Sequence, residues 1–283
     1  MTRLAVIIVN YNTKAVLREC LTNLSQLALR DTKVLVVDNG SSDGSADMEA
    51  AEFPAVSLIR TENNGLAAGY NLGLAHAGEC HYYLFLGTDA FPQPGCIEGV
   101  LEFMAASPTI GVATAKLVLR SGQPDMDAHR GFPTPLTALT HFCGFNSRYF
   151  LTARNMSAPH DIDLCISHFM AVSNAVFTKV GLWDTDYFLY GEDVDMCWRV
   201  KQAGFRIMYL PQFTCLHYKG VSIGIRKASA DITPASSATK HRVQQESVRA
   251  MRLFYRKHMY SAYPWLVNKL VEVGLMVITR LRK

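Results

Sequence analysis

Apolar runs and amphipathic stretches alternate along the first half of the chain. Leu4 to Val9 is an unbroken aliphatic run, the pattern of a strand buried on both faces. Thr13 is placed to cap a helix running to about Leu29. Val34 to Val37 forms a second buried run, ending at Asp38-Asn39-Gly40-Ser41-Ser42-Asp43-Gly44. Val56 to Ile59 forms a third, and Tyr82 to Leu86 a fourth, ending at Gly87-Thr88-Asp89-Ala90. Helical patterns fall near 66–77 and 96–106. The alternation predicts an α/β fold with a mostly parallel central sheet flanked by helices. Three of the strands end in Asn/Asp/Gly-rich turns, and open α/β sheets bind ligands at such carboxyl ends.

The second half is less regular. Ser121 to Ile162 is polar, weakly periodic and broken by Pro124, Pro133, Pro135 and Pro159. It reads as a long loop that covers a site, with Arg130 as a candidate phosphate or acceptor contact. Ser229 to Ser237 reads as a linker. Between Lys240 and His258, six Lys/Arg stand against Glu246, and Arg242, Arg249, Arg252 and Arg256 fall on one helical face. Trp265 to Ile278 is apolar but interrupted by Asn268, Lys269 and Glu272, and falls short of the roughly 20 apolar residues that span a bilayer. That tail suits a helix lying in a membrane interface, or one docked on the protein. The division expected is 1–225 for the α/β domain and 226–283 for a linker with a basic, amphipathic helical extension.

Composition narrows the class. An apolar share of 49% and a charged share of 18% fit a folded globular chain. A net charge of +4 is too mild to imply a nucleic-acid partner. The seven cysteines stand singly, without a C-x-x-C pair, which argues for a reducing compartment. Arg3 leads straight into a strand pattern, so no signal peptide is read.

The densest chemistry is Tyr190-Gly191-Glu192-Asp193-Val194-Asp195-Met196-Cys197-Trp198-Arg199, with three carboxylates in four positions. Helix starts favour acids, and Asp195 is spaced to form a surface i,i+4 pair with Arg199. Asp193 has no such partner and is a candidate base. No G-x-G-x-x-G follows the first strand and no G-x-x-x-x-G-K-[ST] occurs, which removes dinucleotide and P-loop readings. Instead Asn10, Tyr11, Asn12 and Asp38 stand at the first two strand ends. Asp38 can accept hydrogen bonds from a base or ribose, and Tyr11 can pack on a base. Asp89 suits a divalent cation. His217 is a weaker candidate ligand, and His168 reads as a core histidine rather than a substitute polar contact.

In order, Val9-Asn10-Tyr11-Asn12, Val37 to Ser45, Asn63-Asn64-Gly65-Leu66-Ala67-Ala68-Gly69-Tyr70-Asn71-Leu72-Gly73, Val180 to Asp184, the Tyr190 to Arg199 block, and Gly204-Phe205-Arg206 leading into Pro211 and His217 resemble family 2 glycosyltransferases of the GT-A fold. The segments Phe188 to Asp195, His129 to Pro133 and Phe254 to His258 are most similar to bacterial rhamnosyltransferase-type members. The resemblance implies nucleotide-sugar contacts at Val9, Tyr11, Asn12, Asp38, Gly65, Asn71 and Asp89. It implies Mg²⁺ or Mn²⁺ held by Asp89 and His217, and a Glu192-Asp193 catalytic pair with Asp193 as base. The implied reaction is inverting transfer from a dTDP- or UDP-sugar to a lipid-linked or glycan acceptor. The implied place is the inner face of the cell membrane. One departure stands out: Gly87 occupies the position, two residues before the second acid of the metal motif, where the family usually carries Asp or Asn. That glycine leaves open a non-catalytic nucleotide-sugar binder. A nucleotidyltransferase is the third reading, disfavoured because residues 9–19 lack glycine.

Overall fold

The computed structural model describes residues 2–27, 29–220 and 237–281. The linker read at 229–237 lies almost wholly outside them. Strands β1 (Thr2–Asn10), β2 (Thr32–Asp38), β3 (Ser57–Arg60) and β4 (Cys80–Leu86) pair in parallel. Helices α1 (Lys14–Gln26), α2 (Ser45–Glu52) and α3 (Leu66–Ala77) connect them. Then follow β5 (Ala90–Pro92), α4 (Cys96–Ala105), β6 (Ile110–Leu119), α5 (Pro135–Phe142), β7 (His160–Asp161), β8 (Phe169–Ser173), α6 (Asn174–Val180), α7 (Glu192–Gln202) and β9 (Arg206–His217). The sheet runs β3-β2-β1-β4-β8-β6-β9-β5, with β7 beside β9.

Strand periodicity feeds two cores. Leu4, Val6 and Ile8 of β1 face one side, where α1 and α4 pack. Ala5 and Ile7 face the other, with α3, α6 and α7. This is the flanked sheet that the apolar runs imply. Strand β8 is antiparallel to both β4 and β6, so its N-terminal end lies beside the C-terminal end of β4. Strand β9 runs parallel to β6, which brings its last residue, His217, level with Leu119 and, across β5, with Ala90. Six strand directions agree and three oppose them, which makes the sheet mixed.

The segment 121–162 is not the structureless loop that its prolines suggest. It contains α5, which Pro135 starts at its first turn and Thr134 caps by accepting from Thr137 N–H, together with β7. Backbone hydrogen bonds between Arg130 and Leu164 tie it to the chain that follows it. Beyond the α/β unit, α8 (Ser237–His258) and α9 (Trp265–Leu281) pack on each other. Phe254, Tyr255 and Met259 of α8 form a third apolar cluster with Tyr187.

The basic stripe read on α8 is engaged within the protein at several positions. Arg252 and Arg256 bond Glu272 of α9, Arg249 bonds Glu246, and Lys257 reaches Asp184 and Asp195. Arg242 lies over the Phe188 ring at 4.5 Å. An acid on the neighbouring helix neutralises charges that the sequence shows only as a stripe. Among the described residues no helix is long and apolar enough to cross a membrane.

Candidate active site

The ends of β1, β2, β4, β8 and β9 converge. Asn10 donates to Asp38 at 2.8 Å and to Ser41 at 3.0 Å, and it accepts from Thr13 at 2.6 Å. Ser41 N–H closes the second Asp38 oxygen at 3.0 Å. A carboxylate has about four acceptor positions, so Asp38 keeps capacity for a ligand. Tyr11 stands nearly half exposed beside it, while Val9 packs on Gly69 of α3. Asn12 adopts a left-handed φ of 55° and accepts from Ser42 N–H, tying the first strand-end loop to the second. Glu49 of α2, which the sequence reading missed, is fully buried. Burial and nearby Asp38 push its carboxyl up to about 8, so it is protonated at neutral pH.

Two expected contacts take on structural work. Asn71 uses both ends of its amide on the Trp183 backbone, so its side chain is committed to the loop before the acidic block. Gly65 has φ 93°, and a Cβ there would lie 2.6 Å from the Phe188 carbonyl oxygen. Only glycine lets the start of α3 approach the 188 loop so closely.

Thr13 links the Asn10-Asp38 group to the next through Thr88, at 3.2 Å. Adjacent Asp89 has its Oδ1 3.6 Å from His168 Nε2 and 3.7 Å from His217 Nε2. One ligand atom from each of these three residues lies within 4.8 Å of the others. His168 is therefore not the core histidine expected from sequence. It arrives because antiparallel pairing of β8 with β4 sets it next to Gly87. His217 Nδ1 meets Asp125 at 2.8 Å, and Asp125 also bonds Lys219. Burial opposes ionisation of Asp125, yet His217 and Lys219 hold its carboxyl well below the usual range. That carboxylate sets the His217 tautomer, leaving Nε2 buried, without a hydrogen bond among the described residues, and facing Asp89. Asp125 is a second residue that the sequence did not single out. It lies 92 positions from its partner.

These groups fit a divalent cation: one carboxylate, two imidazoles, an aimed and unpartnered nitrogen, and an outer carboxylate to hold it.

The acidic block lies on the other side of Ser167-His168. Tyr190 and Gly191 take positive φ values of 67° and 83°, turning the chain sharply into α7. Glu192 and Asp193 are both buried at its first turn. The Ser167 side chain lies close enough to Glu192 to favour its ionised form, so one dipeptide touches both the acidic pair and the metal-type cluster. Burial and the Asp193 charge push Glu192 up to about 8, where it holds a proton at neutral pH. Burial also raises Asp193, but the Arg130 guanidinium pulls it back toward ionisation. Arg130 itself donates to the Tyr149 hydroxyl at 2.9 Å.

Asp195 points away and is buried rather than on the surface. Arg199, Lys257 and His258 each reach it at 2.7 Å.

Residues 5–181 match the family described as "Glycosyl transferase family 2". The chain belongs to that family. The sequence is 27% identical over 244 residues to the N-acetylglucosaminyl-diphospho-decaprenol L-rhamnosyltransferase of Mycobacterium tuberculosis (strain ATCC 25618 / H37Rv), covering 80% of this chain and 79% of the relative. It is 26% identical over 157 residues to the rhamnosyltransferase WbbL of Escherichia coli (strain K12), covering 55% and 59%. Among solved structures, GalNAc-T7 with UDP, GalNAc and Mn²⁺ superposes with a TM-score of 0.60 at 13% identity, over 91% of this chain. The chain spans only 54% of that protein. The mannosyltransferase PcManGT from Pyrobaculum calidifontis, in complex with GDP-Man and Mn²⁺, matches at TM-score 0.54 and 16% identity, over 99% and 84%. The fold of this family 2 glycosyltransferase is thus GT-A, and its activity is sugar transfer.

Proposed function

We propose that the protein transfers L-rhamnose, with inversion, from a nucleoside diphosphate donor such as dTDP-rhamnose to a lipid-linked or polysaccharide acceptor in cell-envelope glycan synthesis. The observation that carries this reading is convergence: Asp38, the Asp89-His168-His217 cluster and the Glu192-Asp193 pair meet at one end of the sheet. Rhamnose and a diphospho-lipid acceptor are suggested by the M. tuberculosis relative's name.

Asp38 and Tyr11 hold the nucleoside. Asp89, His168 and His217 would hold Mn²⁺ or Mg²⁺, which when bound neutralises charge on a diphosphate. Asp193 takes the proton of the acceptor hydroxyl. The oxygen's electron pair forms the new bond to the anomeric carbon from the face opposite the leaving group. The carbon–oxygen bond to phosphate breaks, and its electrons leave with the nucleoside diphosphate. Glu192, carrying a proton, adds no second charge beside the base. Arg130 opposes the effect of burial on Asp193, favouring its ionised form, and is available to an anionic acceptor. The binder reading rested on Gly87, and His168 standing in its place weakens that reading.

A panel of nucleotide sugars, assayed with Mn²⁺ for thermal stabilisation and for released nucleoside diphosphate, tests the assignment. The dTDP-rhamnose sample is expected to give both signals with a lipid-diphosphate acceptor. Stabilisation without release for every donor would favour a binder.

Helix α9 supports peripheral membrane contact. One face packs through Val271 and Leu275, and Asn268 accepts from the Tyr255 hydroxyl. The opposite face leaves Leu266 61% and Leu270 63% exposed, beside Trp265 and Val273. Substituting Leu266→Glu and Leu270→Glu together is expected to weaken sedimentation with anionic vesicles about 100-fold, since two buried leucines contribute about 3 kcal/mol. Unchanged sedimentation of the double variant removes α9 as the contact.

A further inference from the structure

We propose that His168 has replaced the side chain missing at position 87, and that the resulting one-carboxylate, two-imidazole site selects Mn²⁺ and later first-row cations over Mg²⁺. The inference rests on the metal site of the preceding reading and deepens it. Gly87 does not have a left-handed φ, so its backbone makes no demand for glycine. What excludes a side chain is the imidazole. A Cβ at 87 would lie 2.7 Å from His168 Cδ2 and 3.1 Å from Asp89 Oδ1. A side chain at 87 would enter the same space beside Asp89 that the His168 ring now fills. Gly87 N–H donates to the His168 carbonyl at 3.1 Å, and the β4–β8 register pairs Leu86 with Phe169, so the two positions are locked side by side. In the proposed exchange, glycine at 87 leaves the space beside Asp89 that the ring at 168 fills from across an antiparallel pair.

The exchange changes the chemistry of the site. Asp89 is its single carboxylate, and two imidazole nitrogens face it. Mg²⁺ is a hard cation that favours oxygen ligands and dehydrates reluctantly, whereas imidazole favours Mn²⁺, Fe²⁺, Co²⁺ and Zn²⁺ progressively more. His217 is held in the ligating tautomer by Asp125, and a carboxylate behind a ligating histidine strengthens its basicity.

The test compares the unaltered protein with His168→Ala, Gly87→Asp and the Gly87→Asp/His168→Ala double variant, using Mn²⁺ or Mg²⁺ alone. Bound Mn²⁺ is counted by electron paramagnetic resonance, Mg²⁺ by competition, and coordinated imidazole nitrogens by pulsed resonance. The unaltered protein is expected to show two nitrogens and to prefer Mn²⁺. His168→Ala is expected to retain one nitrogen and to bind Mn²⁺ roughly 10- to 100-fold more weakly, at least the loss that follows removal of a supporting residue. Gly87→Asp alone gains nothing, because the ring is in its way. The double variant has room for the new carboxylate and is expected to bind Mg²⁺ more tightly than any other member of the set. Two nitrogens persisting in His168→Ala, no Mn²⁺ binding to the folded unaltered protein, or one Mn²⁺/Mg²⁺ ratio across all four proteins overturns the proposal. No sugar nucleotide enters these measurements. A two-nitrogen Mn²⁺ site in a protein that cleaves no donor would sink the transferase reading and leave this inference standing.

Discussion

Asp193→Asn is expected to lower kcat by about 10²- to 10⁴-fold, the range for removing a positioned general base. The affinity for nucleoside diphosphate should hardly change, because the nucleoside end of the crevice is built on β1 and β2. Glu192→Gln is the contrast: burial and Asp193 hold Glu192 protonated at neutral pH, so a neutral amide replaces a neutral acid and most of the rate survives. The pH profile adds an independent check. The base works only when ionised, so the rate falls as pH drops through its folded pKa. Burial raises that pKa, and Arg130 lowers it. Removing the positive charge in Arg130→Met therefore moves the acidic limb to higher pH. Turnover of Asp193→Asn within tenfold of the unaltered enzyme, or an unmoved limb in Arg130→Met, would remove Asp193 as the base.

The second large effect is on stability. Asp195→Ala is expected to cost about 1–3 kcal/mol, since it removes the buried carboxylate on which Arg199, Lys257 and His258 converge, while water can still reach those partners. Arg199 belongs to the same helix, but Lys257 and His258 come from α8, so Asp195 is the polar pin between the α/β domain and the terminal helix pair. Burial would raise its pKa. The hydrogen bonds from His258 and Lys257 and the Arg199 charge override burial and hold it at about 2. A depressed carboxylate contributes its full stabilisation above its unfolded pKa of about 4, and loses it as pH falls from there through about 2. Urea unfolding at pH 7 and hydrogen exchange along α8 measure both consequences. A midpoint unchanged by the substitution, with α8 equally protected, would show that the apolar cluster around Tyr187 holds the helices alone.

These two acids stand two residues apart on α7 in different surroundings, and sequence spacing distinguishes them. The i,i+4 distance from Asp195 to Arg199 marks a pair, and the absence of such a partner marks Asp193. Sequence could not say that the pair is buried, because Lys257 and His258 approach from more than 60 positions away. The same limit applies to Asn71. Its place in a glycine-rich motif suggests a ligand contact, whereas its amide is spent on Trp183, 112 residues downstream.

The continuous aliphatic runs of β1, β2 and β4 and the helices between them were legible because burial on both faces imposes a local composition that needs no knowledge of neighbours. The ordered motifs were legible for a similar reason: tight turns, helix starts and clustered acids are short-range demands on the chain. What only the tertiary structure decided is which distant residues share a crevice. The reversed direction of β8 delivers His168 to the vacancy at Gly87, and the run of β9 beside β6 carries His217 to Asp89 and Asp125. Glu272 turns a basic stripe on α8 into internal ion pairs. Strand order and helix docking are set by the summed packing of whole layers, and no local stretch of residues encodes that sum.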